Sequence, residues 1–225
     1  MEQDIYLQPT PAIDSDHPAI VQFTLASIEG VSDPREQAVA LYYAVRDGVR
    51  YDPYRIGTTL ASACASATLA NGHGYCVTKA VLLAAVARAA GIPARLGFAD
   101  VRNHLTSDKL RAIMGTDLFA WHGYVEMMVE GSWVKATPAF NRSLCEKTGV
   151  NPLEFDGRHD SVFHEFDRRG HRHMEYVTEH GHYPDLPLQL MLEQYQRHYP
   201  GMIQAMESAG GVMGDFEAEA RADGN

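Results

Sequence analysis

One stretch, from Gly72 to Arg95, constrains the fold more than any other part of the chain. It reads GHGYCVTKAVLLAAVARAAGIPAR. Nothing between residues 77 and 90 breaks a helix, and the alanines and leucines that dominate there enter helices at little cost. Gly91 is placed to end this helix, and Pro93 prevents its return. The pattern predicts a buried helix that begins beside one cysteine, Cys76.

The position of Cys76 at a helix start has chemical consequences. Backbone N–H groups without partners and the positive end of the helix dipole gather at that point, and both favour a thiolate. Gly72 and Gly74 indicate a tight approach of the backbone just before the cysteine. We therefore expect Cys76 to be a thiol prepared to attack an electrophile.

Composition excludes several classes of function. The chain has 225 residues and a formal net charge of −10, which argues against nucleic acid as a partner because phosphate binding requires clustered Lys and Arg. No apolar run reaches the length of a bilayer span, and we expect no membrane partner. The first residues show no secretory signal, and three cysteines, an odd number without paired spacing, fit the reducing cytoplasm.

The order of predicted elements indicates an α+β domain. A helix begins after Asp33 or Ser32, the Cys76 helix follows, and a strand is expected at 94–100. Period-two alternation at 124–129, a turn at 130–132 and a return to residue 136 predict an antiparallel hairpin. We predict a lead-in at 1–35, a core at 36–141 and a C-terminal extension at 142–225 that packs on or covers the core.

His122, at the mouth of this hairpin, is the candidate general base. A cysteine nucleophile needs a group that takes its proton and later delivers it to a leaving group, and histidine is the usual choice. An imidazole on a strand that faces a thiol at a helix tip would form a workable Cys–His pair.

Four motifs, taken together and in order, resemble the transglutaminase-like superfamily, the papain-related group of cysteine enzymes. They are Gly74-Tyr75-Cys76, Arg88-Ala89-Ala90-Gly91-Ile92-Pro93-Ala94-Arg95, His122-Gly123-Tyr124-Val125-Glu126 and Trp133-Val134-Lys135-Ala136-Thr137-Pro138-Ala139. The resemblance covers roughly residues 40 to 140. It implies a papain-like or transglutaminase-like core whose nucleophile, at a helix N-terminus, packs on an antiparallel sheet. It also implies that Cys76 is the nucleophile and His122 the general base.

One departure from the family pattern concerns the third catalytic position. The family has an aspartate that orients the imidazole, whereas this chain has Thr137. Three interpretations stay open: Thr137 orients the ring without a charge, another residue such as Asn141 or Asp156 replaces the aspartate, or the site is catalytically degraded.

The resemblance implies attack of the Cys76 thiolate on a carbonyl and formation of a thioester. The expected function is a peptidase or amidase that acts on a peptide, a protein or a small amide. The alternatives are a transglutaminase-type acyltransferase to an amine and a degraded module that binds peptide or protein. We expect no cofactor and no metal, although several histidines invite a metal hypothesis. We interpret their surroundings as a solvated polar region: His159, His164, His171, His173, His180 and His182.

Overall fold

A computed structural model of the chain describes residues 4–104, 108–163, 168–171, 173–201 and 214–219. A short 3-10 helix at Asp4–Tyr6 precedes the first α-helix. The helices are α1 Pro18–Ser27, α2 Pro34–Gly48, α3 Leu60–Ala63, α4 Ala65–Asn71, α5 Cys76–Ala89, α6 Asp108–Met114, α7 Arg142–Thr148, α8 Leu188–His198 and α9 Phe216–Glu219. The strands are β1 Arg50–Tyr51, β2 His73–Gly74, β3 Ala94–Asn103, β4 Leu118–Val129, β5 Ser132–Ala136 and β6 Met174–Tyr183.

The main sheet is antiparallel and has the strand order β5-β4-β3-β6. Helix α5 packs against β3 and β4 on one side and contacts α1, α2 and α4 on the other. Side chains from Cys76 to Arg88 are buried all around this helix, which explains why its sequence lacks a polar face. The α+β class and the central helix on an antiparallel sheet are confirmed.

The ends of the predicted helices follow from local chemistry. Helix α2 begins after Asp33, whose carboxylate accepts a hydrogen bond from Glu36 N–H at 2.9 Å. Helix α5 ends before Gly91, which has a φ of 78°, a left-handed conformation that favours glycine. The predicted hairpin is also confirmed, and Glu130 and Gly131, both at positive φ, form its turn.

The C-terminal region supplies a strand that the sequence did not predict. Residues 174–183 form β6, which pairs with β3 at the edge of the sheet. The sequence of this region indicated a solvated polar segment and gave no sign of a strand. Most side chains of β6 are partly or fully exposed, which is typical of an edge strand with charged residues. Because neither face of β6 is consistently apolar, its sequence shows no alternation of apolar and polar residues.

A buried lysine connects the central helix to its neighbour. Lys79 of α5 is fully buried, and its ammonium group donates hydrogen bonds to Arg46 C=O at 2.9 Å and Val49 C=O at 2.5 Å. These carbonyls lie at the C-terminal end of α2, where backbone acceptors lack partners within the helix. Burial lowers the pKa of Lys79 to about 7. Lys79 thus fixes α2 against the first turns of α5, close in the chain to Cys76.

Candidate active site

Cys76 is the first residue of α5 and is only 6% exposed. The backbone just before Cys76 packs closely against helix α5 at Gly74. A Cβ atom at Gly74 would stand 2.5 Å from the Thr78 hydroxyl. The Thr78 hydroxyl accepts a hydrogen bond from Tyr75 N–H at 3.2 Å and so caps the helix start. The predicted tight approach is confirmed at Gly74 but not at Gly72, where a Cβ would meet nothing within 4 Å.

The sulfur of Cys76 lies against strand β4. The backbone N–H groups of Gly123 and Val77 lie close enough to the sulfur to lower the pKa of the thiol. Gly123 permits this contact, because a Cβ at that position would stand 2.9 Å from the Cα of Val77. The structure therefore brings the helix-tip thiol to the residue that directly follows His122.

The protonation state of Cys76 differs from the sequence expectation. Burial raises the pKa of its thiol to about 11, although the Gly123 and Val77 N–H groups act in the opposite direction. Desolvation therefore outweighs the helix terminus. The prediction of a favoured thiolate was wrong for this closed arrangement, in which Cys76 is a neutral thiol near pH 7.

His122 lies on β4, opposite Ala99 of β3, and is 5% exposed. Burial lowers the pKa of its imidazole to about 4, so the ring is neutral near pH 7 and able to accept a proton. Among the hydrogen bonds of the described residues, none joins the ring to Cys76 or to Thr137.

Thr137 follows β5 and is 3% exposed. Its backbone is well held: the N–H donates to Ser161 C=O at 2.8 Å, and the C=O accepts from the Tyr42 hydroxyl at 3.2 Å. Its side-chain hydroxyl, in contrast, is buried without a hydrogen-bond partner within the described structure. An unpaired buried hydroxyl is unusual and costs free energy.

The two other candidates for the third position are engaged elsewhere. The Asn141 amide oxygen accepts from Tyr51 N–H at 2.9 Å, and its amide nitrogen donates to the Ser143 hydroxyl at 2.7 Å. Asp156 is exposed, and its carboxylate pairs with the ring of His159 at 2.7 Å. Within the described residues, neither side chain forms a hydrogen bond with the His122 ring.

A group of tyrosines that the sequence did not identify surrounds the nucleophile. All four are buried, and proximity to Cys76 is one of the causes that raise their pKa values, after burial itself: Tyr51, Tyr75, Tyr195 and Tyr199. Tyr195 belongs to α8 and Tyr199 follows it directly. Nothing in the sequence indicates that α8 lies near Cys76.

A second set of residues fixes the backbone immediately before His122. Trp121 has a φ of 57°, a left-handed conformation that is rare for a large residue. Its N–H donates to the Asp100 carboxylate at 3.0 Å, and the same oxygen contacts the ring of His180 at 2.7 Å. The His180 ring also stacks on Trp121, with centroids 4.6 Å apart. Asp100 and His180 therefore hold an irregular point of β4 next to the candidate base.

The remaining histidines do not form a metal centre in the part of the chain that the structure describes, where no group of three His, Cys, Asp or Glu side chains could hold an ion. His164 lies outside the described residues. Within the described ranges, no helix is both long enough and apolar enough to cross a bilayer. All three cysteines are free thiols.

A cysteine at the tip of a buried helix, packed on an antiparallel sheet that carries a histidine, defines a protein with a papain-like α+β core. The family model of the transglutaminase-like superfamily matches residues 22–138, slightly more than half of the chain. The protein therefore belongs to the transglutaminase-like superfamily, and at the level of this family a cysteine-dependent enzyme is supported.

Comparisons with individual proteins are less informative. Curated proteins give no significant match. A solved structure of a candidate cysteine protease from Cytophaga hutchinsonii is similar, with 17% sequence identity and a TM-score of 0.49. The alignment covers 82% of this chain and 47% of the other, so the chain spans about half the length of that protein.

Proposed function

We propose that this protein is a cysteine-dependent acyl-transfer enzyme, a peptidase or amidase, with Cys76 as nucleophile and His122 as general base. The observation that carries the proposal is the close packing of Gly123, the residue next to His122, on the backbone of Val77, the residue next to Cys76. The three free thiols further support work in a reducing compartment such as the cytoplasm.

The proposed reaction starts from the neutral pair. The Cys76 sulfur attacks the carbonyl carbon of the substrate while its proton passes to His122. The carbonyl π electrons move to oxygen, and the backbone N–H of Cys76 at the helix start donates to the resulting oxyanion. The C–N bond then breaks, the amine leaves with the proton from His122, and a thioester remains on Cys76.

The second half of the reaction decides the type of enzyme. Water that attacks the thioester gives a carboxylic acid and restores the thiol, which is the reaction of a peptidase or amidase. An amine that attacks instead gives a new amide, which is the reaction of a transglutaminase-type acyltransferase. Family membership supports this acyltransferase as the second candidate, because the superfamily takes its name from it.

The buried, unpaired hydroxyl of Thr137 favours a third candidate, a catalytically degraded module that binds peptide or protein. In this case His122 has no charged partner to stabilise its protonated form, and the protein binds peptide without converting it.

One experiment separates the three candidates. The purified protein is incubated with casein and the fluorescent amine monodansylcadaverine, and the products are analysed by mass spectrometry. A hydrolase releases new carboxyl termini or ammonia, an acyltransferase incorporates the amine, and both activities disappear in Cys76→Ser. If neither product exceeds that of Cys76→Ser, the enzymatic proposal fails and the binding module is favoured.

A further inference from the structure

The last described part of the chain, residues 214–219, lies on the core as a short acidic segment. Its sequence is GDFEAE, and it contains the four-residue helix α9. The helix is closed by a hydrogen bond from Glu219 N–H to Asp215 C=O at 3.0 Å, and the Asp215 carboxylate accepts from Ala218 N–H at 3.0 Å. Residues 215–219 are called the acidic segment below.

Each carboxylate of the acidic segment pairs with a basic side chain of the core. The three basic residues come from strand β1, helix α6 and helix α7, which are separate in the chain. The pairs are Arg50–Asp215 at 3.4 Å, Lys109–Glu219 at 2.6 Å and Lys147–Glu217 at 3.3 Å. In a chain with a net charge of −10, this face therefore supplies one cation for each carboxylate of the segment.

The same face also receives an aromatic ring. Phe216 contacts the rings of Tyr51 and Tyr54 edge-on, with centroids 5.7 Å and 5.6 Å apart. The Tyr54 hydroxyl donates to the Glu219 carboxylate at 3.1 Å, and the Lys109 ammonium group lies over the Tyr54 ring, 5.1 Å from its centroid. The face thus combines recognition of charge with recognition of one ring.

Glu217 is the most enclosed carboxylate of the segment, with a side chain that is 13% exposed. It accepts a hydrogen bond from the Ser143 hydroxyl at 2.8 Å, and the Lys147 ammonium group also donates to the Glu217 C=O at 3.4 Å. The basic–aromatic face is defined by the residues that contact the segment: Arg50, Tyr51, Tyr54, Lys109, Ser143 and Lys147.

The contacts that hold the acidic segment are of an exchangeable kind. The side chains of Arg50, Lys109 and Lys147 are between 40% and 49% exposed, and exposed ion pairs are weak and screened by salt. A helix of four residues has no stability of its own. Detachment of the segment therefore requires far less free energy than unfolding of the core.

We infer that the basic–aromatic face is a docking site for an acidic peptide segment of a protein partner, with one phenylalanine among its carboxylates. Residues 215–219 are the occupant that the chain itself provides. A partner segment of the same chemistry replaces the three carboxylates and the ring, so the face loses neither hydrogen bonds nor ion pairs in the exchange. The inference does not depend on the proposed function, because neither Cys76 nor His122 takes part in it.

The test measures docking of a separate peptide to the full chain. Phe216→Ala, labelled with ¹⁵N, is titrated with a capped synthetic peptide of the sequence DFEAE, and the amide signal of Tyr54 is followed. We expect a saturable shift with a half-saturating concentration at least threefold lower than in the wild type. The wild-type segment competes with the peptide because it is tethered to the same molecule. The amide of Ala85 in the buried helix α5 should not move.

Matched controls separate the ring from the charges. The peptide DAEAE lacks the ring and NFQAQ lacks the carboxylates, and each should require at least a threefold higher concentration than DFEAE. Lys109→Gln, added to Phe216→Ala, should weaken the binding of DFEAE by a similar factor. Lys135→Gln on β5, which removes an ammonium group that pairs with Glu179 at 3.0 Å, should leave it unchanged.

A measurement on the wild type gives an answer even if Phe216→Ala folds poorly. An increase from low salt to about 0.5 M NaCl should screen the exposed pairs and move the amide signal of Phe216 toward its position in free DFEAE. The inference is overturned by a salt-independent Phe216 signal, by a Tyr54 signal that DFEAE does not move in folded Phe216→Ala, or by equal half-saturation with all three peptides. A wild-type dimer that Phe216→Ala dissociates also overturns it, because the occupant is then a second copy of the chain.

Discussion

The backbone of Gly123 on strand β4 lies directly against Val77, the residue that follows Cys76 at the tip of helix α5, and the Gly123 N–H lowers the pKa of the Cys76 thiol. This contact exists because the residue after His122 has no side chain: a Cβ there would meet the backbone of Val77 at 2.9 Å. The spacing of thiol and imidazole therefore depends on one glycine.

Replacement of Gly123 by alanine should separate the helix from the strand. The added methyl group meets backbone atoms, which cannot rotate away, so we expect a loss of about 2 kcal/mol in the free energy of unfolding. Urea denaturation measures this loss. Gly48→Ala is the matched control, since a Cβ at Gly48 meets nothing within 4 Å and its backbone is not left-handed, so stability should be unchanged or slightly higher. If Gly123→Ala and Gly48→Ala have the same free energy of unfolding, the close packing of β4 on α5 at Gly123 is contradicted.

The buried imidazole of His122 should make the protein less stable in acid. Its pKa falls from 6.5 to about 4 on folding, so the unfolded chain takes up the proton first as the pH decreases. The contribution of the neutral ring is complete above pH 6.5 and is lost progressively down to pH 4, by about 3 kcal/mol in total. Denaturation curves of wild type and His122→Asn at several pH values isolate this slope.

The control for this slope is His198→Asn, which removes an exposed histidine from α8. It should retain the acid sensitivity of the wild type. A His122→Asn protein with the same loss of stability between pH 6.5 and 4 would show that His122 is not buried as a neutral ring.

The unpaired hydroxyl of Thr137 predicts an unusual response to substitution. Thr137→Val keeps the shape and removes a buried polar atom without a partner, so the free energy of unfolding should stay the same or rise by about 1 kcal/mol. Thermal denaturation measures it. A loss above 1 kcal/mol would indicate that the hydroxyl has a partner.

Restoration of the family's carboxylate at this position tests the site itself. Thr137→Asp should raise the pKa of His122 and speed the acylation of Cys76, because a nearby negative charge favours the imidazolium. Thr137→Asn, similar in size and uncharged, should leave the pKa of His122 low. NMR titration of the ring distinguishes these outcomes, and identical titration of both variants would mean that residue 137 does not face His122.

We expect Asp100 to stabilise the protein through its hydrogen bond with the backbone N–H of Trp121. Asp100→Ala leaves the buried Trp121 N–H without its acceptor, and we expect a loss of about 1–3 kcal/mol in stability and slower acylation of Cys76. The stacking of His180 on Trp121 should also loosen, which a change in tryptophan fluorescence would report. Substitution of the exposed Asp16 by alanine is the control and should change neither quantity.

The parts of the fold that local chemistry determines could be predicted from the sequence. The start of α5 at Cys76 and its end before Gly91 follow from helix propensity and a left-handed glycine. The start of α2 follows from the cap at Asp33, and the β4–β5 hairpin from alternation around Glu130-Gly131. Each of these signals lies within a few residues of the structure that it specifies.

The parts that depend on distant residues could not be predicted. Strand β6 lies at a sheet edge, where half-exposed charged side chains hide the alternation. Burial raises the pKa of Cys76, and Tyr195 and Tyr199, more than a hundred residues later, are among the buried side chains near it. The left-handed Trp121 depends on Asp100 of the neighbouring strand. In each case a tertiary contact outweighs the local pattern.

The most direct measurement of the proposed Cys76–His122 pair is the reaction with 4-nitrophenyl acetate, an ester small enough to reach a covered thiol. We predict a rapid release of one nitrophenolate per chain, an acetyl group on Cys76 by peptide mapping, and at least a hundredfold slower acylation in His122→Ala with the fold intact. Acetylation of Cys64 or Cys145 in preference to Cys76, or an undiminished rate in His122→Ala, would contradict the pair.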